Sequence, residues 1–167
     1  MISEYFSLKE LRASATADRL GLNNKPTEPH ILANLGALAN DVLDPIRRLF
    51  GVPVIVTSGY RSHSLNRAIG GSAQSQHCEG QAADIVVRGV DTFDAALRIT
   101  SEDTLTFDQF IFECKWSEKL NDWRTWIHVS YCRHGNNRQQ VLTAGRLPGQ
   151  KKTTYTSGLH DPRIEGA

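Results

Sequence analysis

The chain is poor in cysteine, in net charge and in long apolar runs, and each shortage narrows what it can be. Its three cysteines, Cys78, Cys114 and Cys132, cannot all pair with one another. The first residues, Met1-Ile2-Ser3-Glu4-Tyr5-Phe6, carry no secretory signal pattern, so a reducing cytosol is the expected site of synthesis. No apolar run approaches the ~20 residues that a spanning helix needs, and no membrane span is expected. Nineteen Lys plus Arg oppose 18 Asp plus Glu, a net charge of +1, which gives no reason to expect nucleic acid as a main partner. No internal repeat is present, and no close-spaced cysteine pairs of the zinc-ribbon or zinc-finger kind.

What is there is an ordinary globular composition, 40% apolar and 22% charged over 167 residues, enough for one domain with a sizeable core. Ser7-Leu8-Lys9-Glu10 matches a capping box and predicts a short helix over 7–13. Residues 19–26 read as a loop. Thr27 is then the expected N-cap of a long helix over 28–50, whose Ile31, Leu35, Leu38, Val42, Ile46 and Leu49 fall at helical spacing. Pro45 is expected to kink it and Gly51 to end it. Strands are predicted over 52–57, 83–87, 107–114 and 126–132, a weaker one over 137–144, and a helix over 92–100. The fold class is therefore α+β, N-terminal helices packed on a small, mostly antiparallel sheet. Residues 1–144 form one domain on this reading, and 145–167, rich in Gly, Thr, Pro and Lys, an extended or flexible tail.

Strand alternation then sorts the polar side chains. On 127–132, His128 and Ser130 share one face, while Ile127, Val129 and Tyr131 share the other, so His128 looks into a cleft or solvent. On 107–114 the same rule groups Gln109, Ile111 and Glu113 opposite Phe110 and Phe112. Asp84 lies within the run Ala82-Ala83-Asp84-Ile85-Val86-Val87, where a carboxylate costs several kcal/mol (about 3–5 if left unpaired) unless paired or bound to a cation. His77, Asp84 and His128 would supply two imidazoles and one carboxylate to a zinc ion and leave a fourth corner for water. Catalytic zinc sites keep such an open position, whereas structural ones close all four. The residues alone also admit other readings: a solvated histidine, an Asp84 that caps a turn or pairs with Arg61, a closed site built from the three cysteines and a histidine, or Cys78 as a ligand beside His77.

Ser58-Gly59-Tyr60-Arg61-Ser62, Leu65-Asn66, Gly70-Gly71-Ser72, Ser75-Gln76-His77, Gly80, Ala82-Ala83-Asp84 and the later Trp126-Ile127-His128-Val129 form an ordered set that resembles the M15 zinc peptidases. These are the D-alanyl-D-alanine carboxypeptidases and L-alanyl-D-glutamate endopeptidases of phage and bacteria. Tyr5 to Leu11 and Leu43-Asp44-Pro45 resemble the N-terminal helices of the phage-type branch, so the likeness covers most of 5–144. It implies one Zn2+ held by His77, Asp84 and His128. It implies that Arg61 steadies a developing oxyanion or holds a substrate carboxylate, and that Ser75 and Gln76 contact substrate or shape the loop before His77. Much of the family carries an acidic general base three positions before the last histidine. Here that position is Thr125, which cannot serve, so Glu113 is the candidate base and Asp122 the second choice.

The expected function is zinc-dependent hydrolysis of a peptide bond in the peptidoglycan stem peptide, by a monomer. The resemblance leaves open whether it acts as a carboxypeptidase or an endopeptidase. The absent signal pattern fits a phage product, an endolysin made in the host cytosol and released to the wall by a holin. The alternative is a non-catalytic cell-wall-binding or virion module that keeps the zinc fold without a working base.

Overall fold

The computed structural model describes residues 1–165, and only the backbone of Glu165. It is an α+β arrangement in which short helices flank one six-stranded sheet of order β1-β2-β4-β3-β5-β6. The helices are α1 (Leu8–Leu11), α2 (Ala15–Leu20), α3 (Pro29–Leu38), α4 (Asp44–Phe50), α5 (His63–Ala68), α6 (Thr92–Thr100) and α7 (Pro162–Glu165). The strands are β1 (Val54–Ser58), β2 (Ala82–Val87), β3 (Gln109–Ser117), β4 (Asp122–Ser130), β5 (Gln140–Arg146) and β6 (Thr154–Ser157). Every neighbouring pair is antiparallel except β3 and β5, which run parallel. No helix among the described residues is long and apolar enough to cross a membrane.

The capping box at α1 forms in full, with Ser7 accepting from Glu10 N–H and Glu10 accepting from Ser7 N–H. A second short helix, α2, follows in the stretch whose end had been read as loop. It is capped by the Ser14 hydroxyl and ended by Gly21 in the left-handed region, φ 64°. The long helix predicted over 28–50 is not continuous. Residues Ala39–Leu43 form a π-turn between α3 and α4, and Asp44 N–H reaches back five residues to Ala39 O. Pro45 has no N–H to give to residue 41, and the wider turn absorbs that gap instead of a simple kink. Thr27 is not the N-cap either. Glu28 occupies that position without a side-chain cap, with Pro29 opening the helix.

One face of the sheet builds the core. Ala83, Ile85 and Val87 of β2, Ile127 and Val129 of β4, and Phe110, Phe112 and Cys114 of β3 pack with Leu35, Leu38, Val42 and Ile46 from the helices. The buried Asp44 carboxylate ties the N-terminus to this layer by accepting from Ser3 Oγ at 2.8 Å and from Glu4 N–H at 3.0 Å. The other face carries the polar residues of the same strands and remains open.

The C-terminal segment is more ordered than the extended or flexible tail expected over 145–167, although residues 166 and 167 lie outside the described part. Strand β6 pairs with β5, and Arg163 donates to Asp91 at 2.8 and 3.0 Å and to Asp161 at 2.6 Å. A second anchor lies at the start of β3, where Arg138 grips Asp108 with bonds of 2.7 and 2.6 Å. The hydrogen bonds from Arg163 hold Asp91, and those from Arg138 hold Asp108, at a pKa of about 2 against an ordinary 3.8. Carboxyls depressed in the folded state stabilise it above pH ~4, and that contribution is lost as pH falls toward 2. Thermal melts are therefore expected to show a steep loss of Tm between pH 4 and 2. Arg138→Gln should flatten that slope, and an unchanged slope would show that the Arg138–Asp108 pair does not carry it.

Candidate metal centre

Three strands and one loop bring the site together. Asp84 on β2 lies in register with Ser58 on β1 and with His128 on β4. All three point to the open face, opposite Ala83, Ile85 and Ile127 in the core. His77 comes from the loop before β2, which is fixed at two points. Arg61 N–H donates to His77 O at 3.1 Å, and the His77 ring bonds Gly59 O through Nδ1 at 2.8 Å. The His77 and His128 rings meet edge to face with centroids 5.1 Å apart. Among the described residues, the two histidines and one carboxylate of His77, Asp84 and His128 form the group close enough to share a metal ion, their ligand atoms all within 4.8 Å of one another. The three cysteines do not assemble: Cys114 is in the core, Cys78 is buried, and Cys132 lies beside Gln81.

The proton count at this cluster favours a cation. Gly59 O can only accept, so Nδ1 of His77 carries a hydrogen and a neutral ring leaves Nε2 as a bare acceptor. That Nε2 lies 3.3 Å from Asp84 Oδ1, and His128 Nδ1 lies 3.0 Å from the same oxygen. His77 is almost wholly buried, and burial lowers its pKa despite the favourable field of Asp84. A second proton on His77 is thus disfavoured, and without one two acceptors face each other. Burial pushes the Asp84 carboxyl up, but the two imidazoles beside Oδ1, led by the His128 bond, outweigh it and hold it well below the usual carboxylate range. A buried carboxylate and two imidazole nitrogens converging on one point are a donor set that zinc accepts. The backbone carbonyl behind His77 is the outer partner that metal-bound histidines ordinarily have.

Arg61 donates from Nη2 to Asp84 Oδ2 at 2.8 Å and from Nε to Ser58 Oγ at 2.9 Å. The ion pair with Asp84, one of the alternatives open in the sequence, is therefore formed, on the carboxylate oxygen that does not face the histidines. A cleft of about 510 Å³ opens over the cluster, and Arg61, Ser75, Gln76 and Glu113 all line it. Gln76 is oriented by Asp108, whose Oδ2 accepts from its Nε2 at 2.8 Å. Glu113 is in register with Trp126, two residues along β4 from His128 and on the same face. Its side chain is 12% exposed and bonds Lys115 Nζ at 2.6 Å, and Lys115 lies 5.0 Å from the centre of the Trp126 ring.

Thr125 faces the other way. Its hydroxyl donates to Thr92 on α6 at 2.8 Å, as an odd spacing from His128 along a regular strand requires. An acid at 125 would not reach the cleft in this chain. Asp122 is also remote, exposed at the far end of the β3–β4 hairpin opposite Ser117. The sequence reading missed Lys115, Asp108, Leu142 and Tyr155. Lys115 was within reach, because it has the same parity as Glu113 on β3. Tyr155 was not, because it enters the cleft only through the pairing of β6.

If the Gly59 carbonyl orients His77 for a metal, Gly59→Ala should weaken metal binding. An added Cβ would collide with the Leu11 carbonyl, and Tyr60 N–H bonds that same oxygen at 2.6 Å. Titration of Zn2+ against a competing indicator should show an affinity loss of about 10–100-fold, the usual cost of losing an outer partner. Unaltered affinity in a folded variant would mean that the carbonyl does not hold the ring.

No curated protein matches the chain. The family model described as Peptidase M15 matches residues 4–130, a span that takes in every residue of the His77–Asp84–His128 cluster together with Arg61 and Glu113. With more than half of its length so matched, the chain belongs to the peptidase M15 family.

Proposed function

We propose that the protein is a zinc-dependent hydrolase of a peptide bond in the peptidoglycan stem peptide. The observation that carries this reading is the convergence of a metal-competent triad and a carboxylate, Glu113, in one cleft of a peptidase-family chain. His77, Asp84 and His128 would hold the zinc. When bound, zinc would polarise the scissile carbonyl and make water acidic enough to yield a nucleophile near neutral pH.

The chain's own residues divide the remaining work. Hydrolysis must take one proton from water and return one to the leaving amine, so a base is required. Glu113 is that base on this reading. Lys115, 2.6 Å away, fixes its position. Arg61 presents a preorganised cation, locked by Ser58 and Asp84, to the oxyanion that develops on the substrate or to a substrate carboxylate. With its N–H2 committed to Asp108, Gln76 keeps its carbonyl free to accept from a substrate N–H. Ser75 beside it supplies a hydroxyl. The same reading has a single chain made in the cytoplasm and released to the wall.

Mass spectrometry of purified stem peptides incubated with the zinc-loaded protein, beside a chelated control, tests this directly. A chelator-sensitive product is expected. Loss of a terminal alanine would identify a carboxypeptidase, and a cut after L-alanine an endopeptidase. Glu113→Gln should lower turnover by about 10²–10⁴-fold, the range typical of general acid–base groups, while retaining zinc. Near wild-type turnover in that variant would remove Glu113 as the base. No product from several wall types, with zinc bound, would turn the reading to a non-catalytic wall-binding module.

A further inference from the structure

The cleft extends beyond the segment matched to the family. On the open face a single row crosses the sheet from Trp126 on β4 through Glu113 on β3 and Ala144 on β5 to Tyr155 on β6. Ala144 is small and fully buried between Glu113 and the tyrosine, and the side chains on either side of it line the cleft. Tyr155 is 57% exposed and, with Leu142 and Ile111, gives the cleft an apolar side opposite Arg61 and the histidines. Both Leu142 and Tyr155 lie outside residues 4–130.

This wall is held in place. Gly158 N–H donates to Val141 O at 2.9 Å, Thr143 Oγ1 to Gly158 O at 2.9 Å, and His160 N–H to Thr143 Oγ1 at 3.1 Å. Beyond it, Arg163 ties the chain to Asp91 at the N-cap of α6. A large aromatic side chain left exposed on an anchored strand, at the rim of a cleft, is poised to bury its ring against a ligand.

We infer that Tyr155 is a specificity-determining residue that packs on an aliphatic portion of the substrate about three residues from the scissile bond. The inference rests on the peptidase reading above. Glu113 and Tyr155 are two strand steps apart, roughly 10 Å at ~4.8 Å per step. An extended peptide advances ~3.3–3.6 Å per residue, so roughly three residues span that gap. A substrate crossing the strands from Glu113, the base on this reading, meets Tyr155 at that distance and no sooner. Short substrates never reach it. The ring acts through its apolar face together with Leu142, and the hydroxyl is dispensable.

The test uses two stem peptides whose scissile amide is replaced by a reduced CH2–NH linkage, so that neither is turned over. One ends a single residue beyond that linkage on each side, and the other extends three or more. Each is titrated by calorimetry into the zinc-loaded wild type, Tyr155→Ala and Tyr155→Phe. Tyr155→Ala is expected to weaken the long peptide by about tenfold, the loss typical of an exposed aromatic anchor, and to leave the short one within twofold. Tyr155→Phe should bind both like the wild type. Equal effects of Tyr155→Ala on the two peptides, or none on either, would overturn the inference, as would a Phe variant that behaves like Ala. Cleavage of the unmodified peptides by the wild type with no such length dependence would sink this inference alone. Failure of the wild type both to cleave and to bind them would sink the peptidase reading and the inference with it.

Discussion

The structure of the open face depends on the charge of Asp84. A carboxylate placed in a strand between Ala83 and Ile85, at 8% exposure, is tolerable only if its surroundings are arranged around it. The arrangement uses one oxygen for each purpose. Oδ2 takes the Arg61 guanidinium, and Oδ1 faces both imidazoles. The positions that supply these partners are set by the backbone. β1 delivers Ser58, and through it the Arg61 corner, while β4 delivers His128 directly opposite. The loop that carries His77 is stitched to the same corner at Gly59 and Arg61. Replacing this cluster with apolar residues of equal volume could well leave the fold as stable. Its presence is therefore a reason to look for function and not for stability.

Side-chain parity decides which residues of β3 and β4 enter the cleft. His128 and Trp126 point into the cleft and Thr125 points at α6, because successive residues on β4 alternate. On the neighbouring strand, Ile111 lies directly opposite His128, and Glu113 enters the cleft one pleat further along. Thr125 instead uses its hydroxyl in packing against Thr92 of α6. Lys115, one pleat further along, completes the pair on the same face.

The parts of the chain that were legible in the sequence are those governed by local rules. The capping box at Ser7, the helix over 92–100, and the strands around Ile85, Phe112 and Ile127 follow from spacing within a few residues. The triad was legible because its motifs are short and ordered. Non-local competition accounts for the rest. The π-turn at Ala39–Leu43 accommodates the N–H that Pro45 lacks, and it runs into Asp44, which Ser3, Glu4 and Tyr5 hold from some 40 residues away in sequence. Strand β6 has the sequence Thr154-Tyr155-Thr156-Ser157, exposed along its whole length, and its hydrophobicity gives no sign of a strand. It exists because β5 offers an edge and because Arg163 finds Asp91, contacts that no window of sequence contains.

That division also bears on how such a site changes. Asp84, Glu113 and His128 come from β2, β3 and β4, whose central core-facing side chains are fully buried, so a shift in any of these strands would be resisted by close packing. β6 lies at the edge, with its side chains exposed, and edge strands are bound by fewer packing constraints. Substitution at Tyr155 alters the far wall of the cleft while the sheet register that aligns Asp84 with His128 stays as it is. On the proposed reading, chemistry would belong to the sheet centre and recognition to its edge. The parallel β3–β5 pair is the hinge of that separation. It joins a segment within the family match to one that lies beyond it, and it carries the row from Glu113 to Ala144 and on toward Tyr155.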